Sequence, residues 1–241
     1  MEALSSLKLS HILFLDIETV PLQPSYEELS PIERSLWEDK TRYIRQEVPA
    51  EDYYERAGIW AEFGKIVCIS VGYFVIKNGQ RQFRVRSFVG EERDILEDFS
   101  YLVNQFFSGR EHLLAAHNGK EFDFPFIARR MLILGLALPQ KLQLFGKKPW
   151  ELGFLDTLDL WKFGDYKHYT SLNLLAYVLG IPSPKDDITG AEVRAVYYQE
   201  QDIARIAQYF QKDTLTVAQI LLRMRGEPLL ERSEEHTSEL Q

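Results

Sequence analysis

Two β-rich runs, residues 66–76 and 82–89, stand on either side of Lys77-Asn78-Gly79-Gln80. Asn-Gly between such runs is a strong signal for a tight hairpin, because both residues accept a positive φ. An apolar run at residues 11–16 precedes the hairpin and indicates a buried strand. The first half of the chain is therefore predicted to build a sheet with antiparallel neighbours.

The rest of the chain alternates between helical and strand patterns. Apolar residues recur with a helical period in the longer segments, whereas the strand candidates are short. The predicted helices cover residues 91–107, 121–134, 171–179 (capped by Thr170), 192–198 and 202–224, and the predicted strands cover residues 113–116 and 154–155. This order favours an α/β layer fold with a mixed sheet flanked by helices.

We expect one domain with two departures from a regular core. Residues 1–231 are enough for a single sizeable core. Within them, residues 26–63 are rich in Glu, Arg, Tyr and Trp and predict a helical insertion, which could serve as a lid, a dimer contact or a plain surface excursion. Residues 232–241 resemble the translation of a sequencing-library adapter, so we interpret them as a non-native or a disordered tail.

The composition limits the class of protein. The hydrophobic fraction is 45% and the charged fraction 27%, as in soluble enzymes, and the apolar runs are too short to cross a bilayer. The one cysteine, Cys68, excludes an intrachain disulfide, is predicted to be a small buried side chain, and suits a cytoplasmic protein. The net charge of −8 argues against a general nucleic-acid coat, but residues 117–185 carry nine basic and six acidic residues, which suits a phosphodiester substrate.

Asp16 and Glu18 end the first apolar run. Because strand side chains alternate, both carboxylates should share one face and Ile17 should take the other. Like charges this close repel, and a bound cation is the natural counter-charge.

Asp123 opens a helical pattern among aromatic residues. Taken alone, Asp123 is interpreted as an acid in the first turn of a helix, where the helix dipole favours it. A carboxylate among aromatic residues is also poorly solvated, so binding of a ligand is the alternative interpretation. His117-Asn118-Gly119 before it predicts a strand-to-helix turn, in which Asn118 either braces the turn or contacts a substrate.

Tyr209 and Asp213 are four residues apart in the last predicted helix and so share a face. Tyr198 and Asp202 have the same spacing, but Asp202 precedes the apolar period and predicts a helix N-cap. We therefore favour the second pair as the functional one.

Together these segments supply four carboxylates and one phenol. Such a set can hold two divalent cations and aim a water at a phosphodiester, a chemistry that needs several carboxylates from separate elements. The chain has no esterase elbow, P-loop or Cys/His zinc spacing.

At these residues the chain resembles the DEDD superfamily of 3′–5′ exonucleases, which have a ribonuclease H-like (DnaQ-like) fold. Gln208 stands where the histidine subgroup has its histidine, so the match is to the tyrosine form (DEDDy). More closely, residues 10–225 resemble the predicted 3′–5′ exonucleases related to the exonuclease domain of B-family DNA polymerases. The motifs that carry this likeness are Phe14-Leu15-Asp16-Ile17-Glu18-Thr19, Phe63-Gly64-Lys65-Ile66-Val67, His117-Asn118-Gly119-Lys120, Ser171-Leu172-Asn173-Leu174-Leu175, and Gly180-Ile181-Pro182 followed by Lys185-Asp186-Asp187 and Gly190.

The resemblance implies a mixed five-stranded sheet, a set of site residues and two ions, Mg²⁺ or Mn²⁺. The implied metal ligands are Asp16, Glu18, Asp123 and Asp213, the implied water-positioning residue is Tyr209, and the implied substrate contacts are Thr19, Asn118 and Lys185. Asp156 resembles a second-tier acid, but an N-cap is the favoured interpretation.

The resemblance also implies a stand-alone metal-dependent exonuclease, a hydrolase that releases 5′-mononucleotides from the 3′ end of a nucleic acid. We expect single-stranded DNA as the partner and no membrane, although the residues themselves do not choose between DNA and RNA. Two alternatives stay open: a non-catalytic nucleic-acid-binding protein that keeps the fold, and a ribonuclease H-type endonuclease, which would not need Tyr209.

Overall fold

A mixed sheet forms the centre of the molecule. The structure, a computed structural model, describes residues 2–165, 167–182, 192–231 and 235–237. The strands are β1 (Ile12–Pro21), β2 (Gly64–Lys77), β3 (Gln80–Val89), β4 (Leu113–Ala116), β5 (Phe154–Asp156) and β6 (Glu235–Thr237). Their spatial order is β5-β4-β1-β2-β3-β6, with β1, β2 and β3 antiparallel and the other pairings parallel.

The predicted five-stranded mixed sheet is confirmed, and the short strand β6 adds a sixth member at the edge. β6 belongs to the tail predicted to be non-native or disordered, and it pairs with β3 from Phe83 onward. The other tail residues lie outside the described residues, and the origin of the tail stays a prediction.

The hairpin between β2 and β3 has the predicted two-residue loop. Asn78 and Gly79 have φ values of 53° and 77°, and Lys77 pairs directly with Gln80. Positive φ at both central positions is the type I′ geometry whose twist matches the flanking strands.

Helices cover both faces of the sheet. They are α1 (Glu2–Ser5), α2 (Pro31–Thr41), α3 (Ala50–Tyr53), α4 (Glu92–Phe106), α5 (Asp123–Ile133), α6 (Thr157–Lys162), α7 (Leu172–Val178), α8 (Val193–Ala195) and α9 (Ile203–Arg225). Alternate residues of β1 serve two cores: Leu13 and Leu15 pack beneath α4 and α5, while Ile12 and Phe14 pack beneath α9. Among the described residues, each helix is too short or too polar to be a membrane-spanning segment.

Two predicted helix ends need correction. The cap of α7 is Ser171 and not Thr170, because the Ser171 side chain accepts a hydrogen bond from the Leu174 N–H at 3.3 Å. The segment predicted as a helix at 192–198 is α8 followed by a π-helical turn, Val196–Glu200, which ends at Gln201 with φ 55°. Asp202 caps α9, as its position before the apolar period predicts.

The insertion at residues 26–63 is helical, as predicted, and has a small core of its own. Trp37 at its centre is fully buried, and its indole N–H donates to the Ala50 carbonyl at 2.9 Å. The helix α2 begins with a capping box, in which Ser30 and Glu33 exchange side-chain and backbone hydrogen bonds.

The insertion packs closely on the second half of β1. A Cβ atom at Gly58 would lie 3.3 Å from the Thr19 carbonyl oxygen, so only a residue without a side chain fits comfortably there. The Thr19 hydroxyl donates to the Gly58 carbonyl at 2.7 Å. The end of the insertion is therefore fixed beside the strand that carries Asp16 and Glu18.

A buried ion pair joins α4, α5, β2 and the insertion. Arg130 donates to both carboxylate oxygens of Glu92, at 2.8 and 2.6 Å, and to the Ala61 carbonyl at 2.9 Å. Glu92 also accepts the Ile66 backbone N–H at 2.7 Å. Each guanidinium nitrogen and each carboxylate oxygen of the pair has a hydrogen-bond partner, which is what allows these charges to be buried.

We expect Glu92→Gln to lower the free energy of unfolding by about 3 kcal/mol, because the buried Arg130 charge loses its counter-ion. Urea unfolding measures this change. Glu97→Gln is the matched control, since Glu97 forms an exposed pair with Arg93 on the same helix and should contribute less than about 1 kcal/mol. Equal effects of the two substitutions would show that the Arg130 pair is not a structural anchor.

Candidate active site

The site lies where β1 runs past the end of β4. The parallel pairing covers only residues 12–14 of β1, since β4 has four residues. Beyond that point the backbone N–H of Ile17 donates to Asp123 Oδ1 at 3.1 Å. A carboxylate from the first turn of α5 thus takes the place of the next acceptor that a neighbouring strand would have provided.

Asp16 and Glu18 share one face of β1, as the strand period predicts. Ile17, between them, is 3% exposed and packs in the core beneath α4 and α5. The two acids stand on the opposite face, the face that α9 covers. A β-bulge between β1 and β2 follows directly after Glu18, and bulges of this kind often adjust the direction of strands next to sites.

Tyr209 and Asp213 bring α9 to the same place. Tyr209 is 6% exposed and packs with Val20 of β1 and Cys68 of β2. Asp213 lies one helical turn later, half-buried, and its charge acts on both Asp16 and Glu18. The four acids and the phenol, predicted from distant parts of the sequence, therefore lie around one region of β1.

The ionised forms of Asp16 and Glu18 are destabilised by burial and by the neighbouring acids. Burial raises the pKa of Asp16 and of Glu18 well above the usual value, and the carboxylates of Asp123 and Asp213 raise both further. Burial raises the pKa of Asp123 to about 7, against the opposing effect of its hydrogen bond from Ile17. Such a group of acids is a fitting donor set for hard divalent cations, whose charge would remove the repulsion.

Asp156 holds the turn that presents Asp123. This carboxylate is 3% exposed and accepts backbone N–H groups from Asn118, Lys120 and Leu158 at 2.9, 3.0 and 2.9 Å. The bond from Leu158 caps α6, which confirms the predicted N-cap. The other two bonds fix the connection between β4 and α5, so Asp156 also supports the site from behind.

Asn118 shapes the same turn through its backbone. Its φ is 63°, and its carbonyl accepts the N–H groups of Glu121 and Phe122. Next to it, a Cβ atom at Gly119 would lie 2.5 Å from the Ala116 Cβ. The backbone of Asn118 thus braces the turn, and a substrate contact by its side chain stays a prediction.

His117 fastens a second loop to this turn. Its Nε2–H donates to the Thr170 carbonyl at 2.8 Å, because a carbonyl can only accept, and its Nδ1 therefore accepts from the Thr157 hydroxyl at 2.9 Å. Burial lowers the pKa of His117 and keeps the ring neutral at neutral pH. The ring is a positioning element between two loops.

Tyr169 is a site residue that the sequence patterns did not reveal. Its side chain is 66% exposed, yet the pKa of its hydroxyl is raised by partial burial and by the charges of Asp123, Asp156 and Asp16. The charges of the site therefore act on the hydroxyl of an exposed side chain. A single tyrosine in an irregular loop has no periodicity, so no local pattern could have identified it.

Thr19 and Lys185 are the other two predicted substrate contacts. The Thr19 hydroxyl is engaged by the Gly58 carbonyl, so its side chain holds the insertion. Lys185 lies outside the described residues. Cys68 is fully buried, as predicted, and burial raises the pKa of its thiol to about 12.

Three side chains of the kinds that bind metals lie close together just before the first residues of β1 and β4, away from the acids. The ligand atoms of His11, Glu111 and His112 are all within 4.8 Å of one another. Among the described residues this is the one such set, so no three of the four acids lie within that spacing of one another. The His set is poorly suited to an ion, because Lys141 donates to the His112 carbonyl at 2.5 Å and the Gly109 N–H occupies His112 Nδ1.

The sheet order and the acids of β1, α5 and α9 define an α/β protein similar in fold to the exonuclease domain of B-family polymerases. Residues 59–237, well over half the chain, match the family described as predicted 3′–5′ exonucleases related to the exonuclease domain of PolB, and the chain belongs to this family. The matched segment contains Asp123, Tyr209 and Asp213, whereas Asp16 and Glu18 precede it.

A solved structure agrees with the fold. The family B DNA polymerase from the hyperthermophilic archaeon Pyrobaculum calidifontis superposes with a TM-score of 0.55 and 16% identity, over 88% of this chain. The chain spans about a quarter (24%) of the length of that polymerase. None of the curated proteins matches the chain.

We expect Asp16→Asn to stabilise the metal-free protein at pH 8 by about 1–2 kcal/mol. The raised pKa means that the charged form of Asp16 costs folding free energy above that pKa, and a neutral amide of the same shape removes this cost. The melting temperature in EDTA should rise by roughly 3–6 °C.

The same substitution should abolish or strongly reduce the further rise in melting temperature that Mn²⁺ gives the wild-type protein. Asp159→Asn is the control, because Asp159 is an exposed partner of Lys120 and should leave the Mn²⁺ response unchanged. A variant that melts lower than the wild type in EDTA would contradict the repulsion on which this expectation rests.

Proposed function

We propose that this protein is a stand-alone two-metal-ion exonuclease that hydrolyses phosphodiester bonds at the 3′ ends of nucleic acids and releases 5′-mononucleotides. One observation carries the proposal: the Ile17 N–H holds Asp123 of α5 against β1, beside Asp16 and Glu18, and the charges of Asp123 and of Asp213 on α9 raise the pKa of both these acids. Membership of a family of predicted 3′–5′ exonucleases supports the direction of cleavage.

Asp16, Glu18, Asp123 and Asp213 would hold the ions. Their carboxylate oxygens are ligands that suit Mg²⁺ and Mn²⁺. When bound, a pair of such ions neutralises charge on the attacking and leaving oxygens of an in-line displacement. The charges of Asp123 and Asp213 act on both acids of β1, so an ion at this place would be counter-charge to carboxylates from three elements.

Tyr209 would orient the attacking water. Its side chain is 6% exposed and belongs to the same core cluster as Val20 and Phe210, which restricts its motion. Asp213 is four residues further along α9, so the phenol and one metal ligand are carried by the same rigid element. This arrangement supports hydrolysis more than binding alone.

We propose single-stranded DNA as the preferred substrate. Tyr169 supports an unpaired strand, because it is an exposed aromatic residue whose hydroxyl is affected by the charges of Asp123, Asp156 and Asp16, and aromatic rings of this kind stack on bases. Strands of DNA and RNA, single or in duplex and labelled at the 5′ end, test the proposal directly in Mg²⁺ or Mn²⁺. We expect a ladder of progressively shorter products, whereas internal cuts would favour a ribonuclease H-type endonuclease.

Asp213→Asn should lower the rate of degradation by roughly 10³-fold, because one carboxylate ligand of the ions is lost. Asp202→Asn makes the same chemical change on the same helix, and asparagine is also a good N-cap, so its rate should stay within about twofold of the wild type. Rates are measured from the labelled ladder. Undiminished degradation by purified Asp213→Asn protein would refute the assignment, and strand binding without any turnover by the wild type would favour a non-catalytic protein.

Tyr209→Phe should lower kcat by about 10²-fold, since the hydroxyl proposed to orient the attacking water is removed while the ring remains. Tyr198→Phe is the control with the same spacing to a following aspartate. The Tyr198 hydroxyl donates to the Pro21 carbonyl at 2.5 Å, so its loss should affect stability slightly and kcat little. A larger loss of kcat in Tyr198→Phe than in Tyr209→Phe would reverse the assignment of the two pairs.

A further inference from the structure

A cleft of about 260 Å³ adjoins the acids on the side of the insertion. Glu18 and Thr19 of β1 form one wall, and Arg56 and Ile59 of the insertion form the facing wall. Phe122, the residue before Asp123, also lines the cleft. A ligand in this cleft would therefore touch a proposed metal ligand and the insertion at the same time.

The insertion wall is held firmly in place. The Thr19 hydroxyl binds the Gly58 carbonyl, and Gly58 itself packs on the backbone of β1. On the far side, the Arg194 guanidinium donates to the Pro24 carbonyl at 2.6 Å and pairs with Glu55 at 3.4 Å. The cleft is thus a preformed feature, with walls tied to each other across its base.

The two arginines of the cleft differ in what engages them. Arg194 is committed to Pro24 and Glu55. Arg56 is exposed, and its guanidinium lies 5.5 Å from the centre of the Tyr53 ring. In the part of the chain that the structure describes, no carboxylate or carbonyl accepts a hydrogen bond from Arg56. Its donors are therefore available to an anion that enters the cleft.

We propose that Arg56 binds a phosphate of the nucleic-acid strand, so that the end of the insertion is part of the substrate-binding surface. This inference rests on the proposed function, because the strand enters the cleft only if its scissile phosphate lies at Glu18. Guanidinium groups match phosphate oxygens in a bidentate manner, and the stacked Tyr53 ring limits the freedom that Arg56 loses on binding. Ile59, which is 54% exposed, and Phe122 offer apolar surface to an unpaired base.

A phosphate contact of this kind acts on binding and carries no sequence preference. Arg56→Ala should raise KM for single-stranded DNA by about tenfold and leave kcat within about twofold, since Arg56 does not touch the reacting atoms. The slope of log KM against log salt should also fall by roughly 0.7, the value for one lost phosphate contact on a single strand. A residue with a purely structural role would not change this slope.

Steady-state kinetics on 5′-labelled single-stranded DNA at four salt concentrations test the proposal. Arg56→Lys should keep the salt slope of the wild type, because the positive charge remains, but lose part of the affinity, because an ammonium group cannot bind a phosphate in a bidentate manner. Arg42→Ala is the control, since Arg42 is an exposed arginine of the same insertion that pairs with Asp39. A KM and salt slope of Arg56→Ala equal to those of the wild type, or changed equally in Arg42→Ala, would overturn the assignment.

Binding of a fluorescent single strand in Ca²⁺, measured by anisotropy, distinguishes a failure of the proposed function from a failure of the Arg56 contact. A wild-type protein that binds but does not degrade in Mg²⁺ or Mn²⁺ contradicts the proposed function, while a weaker binding of Arg56→Ala would still support the phosphate contact. Degradation by the wild type together with equal binding of wild type and Arg56→Ala contradicts the contact alone. Equal melting temperatures of the variants exclude misfolding as the cause.

Discussion

The repulsion among Asp16, Glu18, Asp123 and Asp213 is the constraint that the rest of the fold must withstand. Like charges in a poorly solvated site destabilise the folded state, and here burial adds to the effect. Backbone hydrogen bonds hold the acids in place: the Ile17 N–H binds one of them, and Asp156 fixes the turn before it. The ion pair between Arg130 and Glu92 anchors the opposite end of α5, well away from the site.

The insertion is the second structural element that defines the site. Its own aromatic core gives it a fixed shape, and its contacts with β1 place a wall across from Glu18. A sheet of this kind would otherwise leave that side of the strand open to solvent. The insertion thus forms one wall of the cleft beside the acids.

Much of the fold and of the candidate site follows from local patterns. The Asn78-Gly79 turn, the two-residue spacing of Asp16 and Glu18 and the N-cap at Asp202 each depend on a few neighbouring residues, and the structure agrees with all three. Thr170 was the wrong choice of cap because two adjacent hydroxyl residues are equivalent in sequence, and a distant contact decides between them: the Thr170 carbonyl binds His117.

Other features depend on contacts between segments that are distant in the sequence, and no local sequence pattern predicts such contacts. Tyr169 lies near the acids because a histidine from another loop holds its neighbour, and Arg56 faces the cleft because Gly58 permits a close approach of two backbones. The extra edge strand β6 likewise depends on a partner, β3, that is far away in the sequence.

The position of the acids, beside β1 where the short strand β4 ends, also bears on the order of folding. Asp16 near the beginning of the chain and Asp213 near its end can become neighbours only after the sheet has paired and the last helix has docked on it. Closing so long a loop is slow, and the complete acid set needs at least the segment from residue 16 to residue 213. Divalent ions would therefore recognise the finished domain and could not nucleate it, unlike the zinc of a small finger.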